Sequence, residues 1–188
     1  MSEALNLENR AGLPDPLRVL LAAYPRDGWT TDPGFDALIR FWLDRHLMFR
    51  RLLADMTKTA EALIDETMEA PRFGAVMSRY GGHFVNGLHE HHTIEDTHYF
   101  PVLSQKDARI TKGFAILDAD HHAIDRHLSD FVDLANGALQ KLDNRDPLRG
   151  AVGDLHDHLG LLHRLLDRHL TDEEELVVPV ILKYGAQI

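Results

Sequence analysis

The sequence contains no cysteine, little positive charge and no long apolar segment. The absence of cysteine excludes disulfide frameworks, thiolate metal sites and cysteine nucleophiles. Lysine and arginine together number 20 against 30 aspartate and glutamate residues, so the basic excess that binding to a nucleic-acid backbone needs is missing. The longest apolar run, residues 176–182, contains a proline and is too short to span a bilayer. We therefore expect no nucleic-acid partner and no membrane partner.

The N-terminal part of the chain differs in composition from the rest. Its opening residues, MSEALNLENR, are polar and acidic, which argues against a signal peptide and predicts a cytoplasmic protein. Residues 1–34 hold four of the eight prolines and predict an extension with one short helix, in which Asp15 is the N-cap and Pro16 the first helical residue. Residues 35–188 are long enough to form one further domain with a sizeable core.

Beyond residue 34, apolar residues recur every three or four positions in four segments. Polar or proline-containing breaks near residues 69–71, 104–111 and 143–147 separate these segments. No segment alternates with a period of two for long enough to suggest a sheet. The pattern therefore predicts an all-α fold, an up-down-up-down four-helix bundle.

Each predicted helix carries a histidine on its apolar stripe, where a leucine, isoleucine or phenylalanine would otherwise stand. The four are His46, His91, His121 and His169. A glutamate follows two of them by four residues, on the same helix face; the two glutamates are Glu95 and Glu173. Because paired positions are equidistant from the predicted turns, antiparallel helices would bring all four histidines to one level of the core.

The second half of the chain repeats the first. Aligning the segment around His91 with that around His169 pairs two leucines, two threonines, two glutamates and two prolines without a gap, and His46 similarly aligns with His121. This duplication predicts a pseudo-twofold site with two histidines and one glutamate from each half. Buried charges without partners cost several kcal/mol each, and metal ions would supply the compensating charge. Two carboxylates could bridge a pair of ions, for which iron, manganese and zinc all remain candidates.

The pattern His46, His91-x-x-x-Glu95, His121, His169-x-x-x-Glu173 resembles the hemerythrin-like (HHE cation-binding) family. The helix ends Tyr99-Phe100-Pro101 and Val177-Val178-Pro179 also resemble that family, and the resemblance covers roughly residues 35–183. It implies two iron ions bridged by the glutamates, with manganese or zinc less expected, and a small diatomic or peroxide ligand. Oxygen-carrying members have a fifth histidine where this chain has Asp125, so sensing or turnover is expected rather than oxygen carriage.

Other residues are candidates for an additional ligand or for a hydrogen-bond partner of a ligand. They are His98, His122, Asp125, Glu174 and Tyr80. His122 competes with its neighbour His121, Glu174 is an alternative bridge, and Tyr80 is expected in the core. Glu95-x-x-His98 also matches the motif of ferritin-like di-iron proteins, but its repeat copy ends in a leucine. His92 and His122 are expected to lie off the inward stripe, with pairing of His92 to Asp96 as an alternative register.

Three functions remain open at this point. The first is a di-iron protein that binds or senses dioxygen, peroxide or nitric oxide. The second is a di-iron enzyme of peroxide disproportionation or nitric oxide detoxification, for which no catalytic residue is assigned. The third is a structural zinc bundle, with the proline-rich extension as its partner-binding or homodimer-forming element.

Overall fold

Four long α-helices make up most of the chain. The computed structural model describes residues 3–185, so the expected domain ends at residues 1 and 188 lie outside the described residues. The long helices are α1 (Ala37–Ile64), α2 (Ala70–Ile94), α3 (Thr111–Asn144) and α4 (Arg149–Tyr184). The described part of the chain has no strand, which confirms the predicted all-α fold. None of its helices combines the length and the apolar character that crossing a membrane requires.

Two tight reversals separate the helices of each repeat. The second lies at the predicted break, residues 143–147, whereas the first lies a few residues before the predicted break, since residues 70 and 71 already belong to α2. Glu66, just after α1, has a φ of 58°, and Arg145, just after α3, has a φ of 60°. Both residues therefore take the left-handed conformation that commonly ends a helix. Backbone hydrogen bonds close the turns, from the amide of Met68 to the carbonyl of Ala62 and from the amide of Asp146 to that of Lys141.

The contacts divide the chain into two units, and each long helix contributes one end to each unit. The first unit contains the chain up to Leu47, the stretch His91–Ala123 and the chain from Asp167 onward. The second contains Met48–Glu90 and Ile124–Leu166. In the first unit, α1 and α3 contribute their N-terminal ends, and α2 and α4 contribute their C-terminal ends. The second unit contains the opposite end of each helix. Successive helices therefore run in opposite directions, as predicted.

The N-terminal segment, residues 3–34, packs on the apolar core of the first unit. Its side chains Leu13, Leu20 and Trp29 are buried in the same cluster as Val177 and Ile181 of α4. In place of one α-helix it forms three short 3-10 helices, Glu3–Leu5, Asp15–Leu17 and Arg26–Thr31. The expectation that Asp15 is an N-cap is wrong, because Pro14 occupies that position. The second of these helices ends with Arg18 as its C-cap, whose backbone amide donates to the carbonyl of Asp15.

The second unit is held by apolar packing. Phe84 lies edge-to-face against Phe49 at a centroid distance of 6.4 Å, and edge-to-face against Phe131 at 6.2 Å. Among its described residues, Thr59 is the one polar residue that is buried, and its hydroxyl donates to the carbonyl of Asp55.

Candidate metal centre

The buried charged and histidine side chains of the described residues all belong to the first unit. They are Arg10, His46, His91, His92, Glu95, Asp120, His121, His169, Asp172, Glu173 and Glu174. The structure thus brings together the six ligands predicted from the sequence and adds His92 to them. The remaining charged members surround this set.

The possible ligand atoms form two groups. His46, His91, Glu95 and Glu173 make the first group, and His92, His121 and His169 make the second. Each residue of a group offers one nitrogen or carboxylate oxygen, and within each group all of these atoms lie within 4.8 Å of one another. All seven side chains are buried.

Glu95 and Glu173 each direct one carboxylate oxygen to each histidine group. Glu95 Oε1 lies 3.0 Å from Nε2 of His91, and Glu95 Oε2 lies 3.5 Å from Nε2 of His121. Glu173 Oε1 lies 3.5 Å from Nε2 of His46, and Glu173 Oε2 lies 3.5 Å from Nε2 of His169. This arrangement suits two carboxylates that bridge a pair of cations.

Three of the histidines have a carboxylate on the opposite side of the ring. Nδ1 of His46 lies 3.0 Å from Glu174, Nδ1 of His121 lies 2.8 Å from Asp96, and Nδ1 of His169 lies 3.3 Å from Asp120. An imidazole that donates from Nδ1 keeps the lone pair on Nε2, which here points toward the glutamates. The carboxylates therefore select the tautomer that binds a metal through Nε2.

The pairing follows the internal repeat. Asp96 comes directly after Glu95, and Glu174 comes directly after Glu173. Asp96, in the first half, faces His121 of α3. Glu174, in the second half, faces His46 of α1. The structure therefore pairs Glu174 with His46 and uses Glu173 as the carboxylate that spans the two groups.

His92 is the one member of the two groups that the sequence pattern left out. The expectation that it lies off the inward stripe is wrong, since only 3% of its surface is exposed. Neither of its ring nitrogens has a hydrogen-bond partner within the described residues. The repeat contained a signal for its burial, because His92 aligns with Leu170, which is fully buried.

A π-helical turn, Glu95–Tyr99, follows α2 and changes which residues face the core. The amide of Phe100 donates to the carbonyl of Glu95 in place of an α-helical bond. This inserts one extra residue into the turn and moves the buried stripe forward by one position. Leu103 is buried as a result, whereas His98 is exposed.

Four of the additional candidates do not join the buried groups. The side chains of His98, His122 and Asp125 are exposed. The expected place of His98 on the inward stripe is therefore wrong, whereas His122 lies off that stripe, as expected. Tyr80 is half-buried and belongs to the second unit. Asp125 stands where oxygen-carrying members of the family have a fifth histidine, but His92 supplies a fifth imidazole from α2 instead. Five histidines therefore surround the two glutamates, and not the expected four.

Burial and mutual repulsion set the charges of the metal-free site. Burial, together with the charge of Glu173, raises the pKa of Glu95 well above its usual value. Burial alone would raise the pKa of Glu173 too, but His46, His91 and His169 hold it below its usual range. Burial and the nearby charge of Glu173 thus oppose the simultaneous ionisation of both carboxyl groups. Two like charges in this space need a positive partner, which fits a site built for cations.

Most of the imidazoles are kept neutral by burial. Desolvation lowers the pKa of His91 to about 3, and it lowers the pKa of His92 and of His169 as well. Burial would also lower the pKa of His46, but Glu173 and Glu174 raise it above its usual value. Neutral imidazoles are the form that coordinates metal ions. The donor set of nitrogen and oxygen atoms therefore fits a pair of transition-metal cations.

A narrow pocket reaches the first group from the protein surface. It is lined by Phe41, Trp42, Arg45, His91, Ile94, Glu95 and Tyr99. The indole Nε1 of Trp42 donates to Oε1 of Glu173, and its ring lies edge-to-face against His91 and Tyr99. A small molecule entering this pocket would meet the first group through a mainly aromatic wall.

Comparison with known proteins gives one match. The family model of the hemerythrin HHE cation binding domain matches residues 37–159. No curated protein and no solved structure matches the chain. The matched residues include His46, His91, Glu95 and His121. The second histidine–glutamate motif, which contains His169, lies beyond them and joins the site by its geometry.

Proposed function

Since the chain belongs to the hemerythrin HHE cation-binding domain family, we propose that it holds two iron ions and binds or senses dioxygen, peroxide or nitric oxide. The observation that carries the proposal is the placement of Glu95 and Glu173, each with one oxygen toward each histidine group. His46 and His91 would hold one ion, and His92, His121 and His169 would hold the other.

The composition of the site favours a pair of ions over a single structural zinc. A structural zinc site is closed by four ligands, whereas five imidazoles and two carboxylates gather here. The pocket at the first group also supports a site that small molecules reach. Bound iron ions would supply redox chemistry and coordination positions for small oxygen- or nitrogen-containing molecules.

The protein's own residues define how a small ligand is received. Phe41, Trp42 and Tyr99 restrict the pocket to small molecules and limit water beside Glu95. Arg45 places a positive charge in the same pocket, which favours an anionic or polarised ligand. Two imidazoles lie in the group beside the pocket, against three in the other group. Since each glutamate directs one oxygen to each group, the ion beside the pocket would have four protein ligands and the other ion five.

Turnover of peroxide is the second candidate, and Tyr99 is the observation that favours it. Its phenol ring lines the pocket beside Glu95, so it is a possible proton donor close to the ligand residues. His98 and Asp125, which the sequence named as additional candidates near the site, are exposed and do not line this pocket. Substituting Tyr99 with phenylalanine would then abolish peroxide loss while leaving the iron content unchanged.

The proposal is tested by metal content and optical spectra. Protein loaded with iron under anaerobic conditions is exposed separately to dioxygen, hydrogen peroxide and nitric oxide. We expect about two irons per chain and absorption bands that change on exposure. A persistent change supports binding or sensing, whereas rapid loss of peroxide supports the enzyme. Iron binding below one ion per chain, or spectra that respond to none of the three, would overturn the proposal.

A matched pair of variants connects the result to the bridging carboxylates. Glu95→Gln keeps the shape of the side chain and removes its charge, and we expect it to prevent loading of the second iron. Glu90→Gln makes the same change at an exposed position of α2 and should load two irons as the unmodified protein does. Equal loading of both variants would contradict a bridging role for Glu95.

A further inference from the structure

The N-terminal segment reaches the ligand histidines through two arginines. Its apolar side chains anchor it on the first unit, and Asp172 of α4 accepts a hydrogen bond of 2.9 Å from the backbone amide of Leu13. Gly113 of α3 permits close approach, since a Cβ there would lie 3.2 Å from the carbonyl oxygen of Leu17. The segment is thus held against α3 and α4, the helices that supply His121 and His169 of the second group.

Arg10 is the first of these arginines, and its side chain is buried between two carboxylates. Its Nε donates to Asp172 at 2.8 Å, and its Nη1 donates to Oδ1 of Asp120 at 2.7 Å. Its Nη2 donates to the other oxygen of Asp120, which completes a two-point contact. That same oxygen of Asp120 faces Nδ1 of His169. A chain of contacts therefore runs from Arg10 through Asp120 to His169.

Arg26 makes the corresponding contact on the other half of the site. Its Nη1 donates to Oε2 of Glu174 at 2.7 Å, while Oε1 of Glu174 lies 3.0 Å from Nδ1 of His46. Its guanidinium group also lies over the ring of Trp29, 4.7 Å from the centroid. Arg26 is half-exposed, so water screens its charge more than that of Arg10.

We propose that the N-terminal segment positions one histidine in each group, through Arg10 for His169 and through Arg26 for His46. The inference rests on the proposed binding of two cations. Charge-assisted hydrogen bonds fix the orientation of a carboxylate, and a fixed carboxylate in turn orients the imidazole that donates to it. The two arginines are positioning residues. Each acts on a different group of ligands, so each affects a different cation.

The test measures how fast a chelator removes cobalt(II) from the full chain loaded with two equivalents. We expect two release phases, which His46→Gln and His169→Gln assign to the first and second groups. Arg10→Met should accelerate release from the second group by about tenfold and leave the first group unchanged. Arg26→Met should accelerate release from the first group by a smaller factor, about threefold, because Arg26 is screened.

Arg18→Met is the matched control. Arg18 also belongs to the N-terminal segment and also pairs with a carboxylate of α4, but that carboxylate is Glu175, which is not among the histidine partners. Its removal should leave both release phases unchanged. A general loosening of the segment would instead accelerate both phases in all three arginine variants, and that result would overturn the proposal.

Further variants keep the test decisive if Arg10→Met folds poorly. Arg10→Lys retains the charge and loses the two-point contact, and Asp120→Asn retains the shape and loses the charge. Both should accelerate release from the second group alone, with a smaller effect for Arg10→Lys. The cobalt spectrum should shift in the same variants, which a purely structural role would not produce.

Cobalt also distinguishes this proposal from the proposed function. Cobalt binding requires no reaction with dioxygen, so the release phases are informative even if the iron-loaded protein ignores all three small molecules. Two bound cobalt ions whose release is insensitive to Arg10→Met and Arg26→Met would overturn only the positioning role. A chain that bound no cobalt would overturn both proposals.

Discussion

The imidazole rings of His92 and His121 lie face to face, with centroids 4.0 Å apart and planes inclined by 7°. This stacking holds His92 within ligand distance of His169, although its own nitrogens have no hydrogen-bond partner in the described residues. A buried polar group without a partner destabilises a fold by about 1–3 kcal/mol. His92 therefore weakens the metal-free protein at a position where it can serve a cation.

Replacing His92 with phenylalanine should separate these two effects. The new ring can still stack on His121, but both nitrogens are gone. We expect the metal-free protein to gain about 1–3 kcal/mol in unfolding free energy. We expect one of the two cations to bind at least about tenfold more weakly. Urea unfolding with chelator present measures the first change, and cobalt titration measures the second.

The control for this variant is His122→Phe, which makes the same change at an exposed position of α3. It should leave cobalt affinity unchanged. Undiminished binding of two cobalt ions by the His92 variant would show that His92 is not a ligand.

The metal-free protein should lose stability as the pH falls from 6.5 to 5. Burial lowers the pKa of His91, His92 and His169 below the usual value of 6.5, so in this range the unfolded chain binds protons that the folded chain excludes. Glu95 opposes them, because its raised pKa keeps a proton that the unfolded chain releases above about 4.5. The three imidazoles outweigh the single carboxyl. Each net proton contributes about 1.4 kcal/mol per pH unit.

Urea unfolding of chelator-treated protein at pH 6.5 and at pH 5 measures this slope. His46 does not interfere, because its pKa is raised and it is protonated in both states across most of that range. His92→Phe should reduce the number of protons taken up on unfolding by about one, which lowers the slope by about 1.4 kcal/mol per pH unit. Greater stability at pH 5 than at pH 6.5 would contradict the neutral, buried state of the histidines.

Trp42 should report the arrival of cations through its fluorescence. Its indole contacts Glu173 and His91, so a paramagnetic ion held by those residues would quench its emission. Trp29 is the other tryptophan of the chain, and Trp29→Phe isolates the signal of Trp42. We expect strong quenching that is complete at two equivalents of cobalt. A Trp42→Phe variant should show a smaller change, and an equal change in both variants would contradict the contact with the site.

Asp125→His should have no effect on the metal site. Asp125 is exposed and lines a surface groove with His89, so an imidazole placed there would face solvent. We expect unchanged cobalt content and an unchanged cobalt spectrum, with a stability change within about 0.5 kcal/mol. A new absorption band or a third bound ion would show that this position reaches the site.

The apolar periodicity was sufficient to predict the helices and their breaks. Histidines that replaced a leucine or phenylalanine on a stripe, such as His46, stood out against that periodicity. Because paired histidines lie equally far from a break, the sequence alone predicted that all four lie at the same height along the bundle. The internal repeat then connected Glu95 with Glu173, because identical spacing in two halves is improbable for surface charges.

Two features escaped the same reasoning for physical reasons. Periodicity assumes 3.6 residues per turn, so it could not anticipate the extra residue of the π-helical turn Glu95–Tyr99, and it placed His98 on the buried face. Periodicity also assigns one helix face to the core, whereas the end of α2 is buried on two adjacent faces and therefore buries both His91 and His92. The contacts of Arg10 join residues more than 100 positions apart in the sequence, which local patterns do not encode.

The confinement of the buried ionisable side chains to the first unit has a consequence for the order of assembly. Residues 48–90 and 124–166 form a core that contains no buried ionisable side chain among the described residues. We therefore expect this half of every long helix to fold on a newly made chain before any metal is bound. Insertion of metal then becomes a late step on a prepared scaffold. A chain stripped of its ions would keep a template on which the centre can be rebuilt.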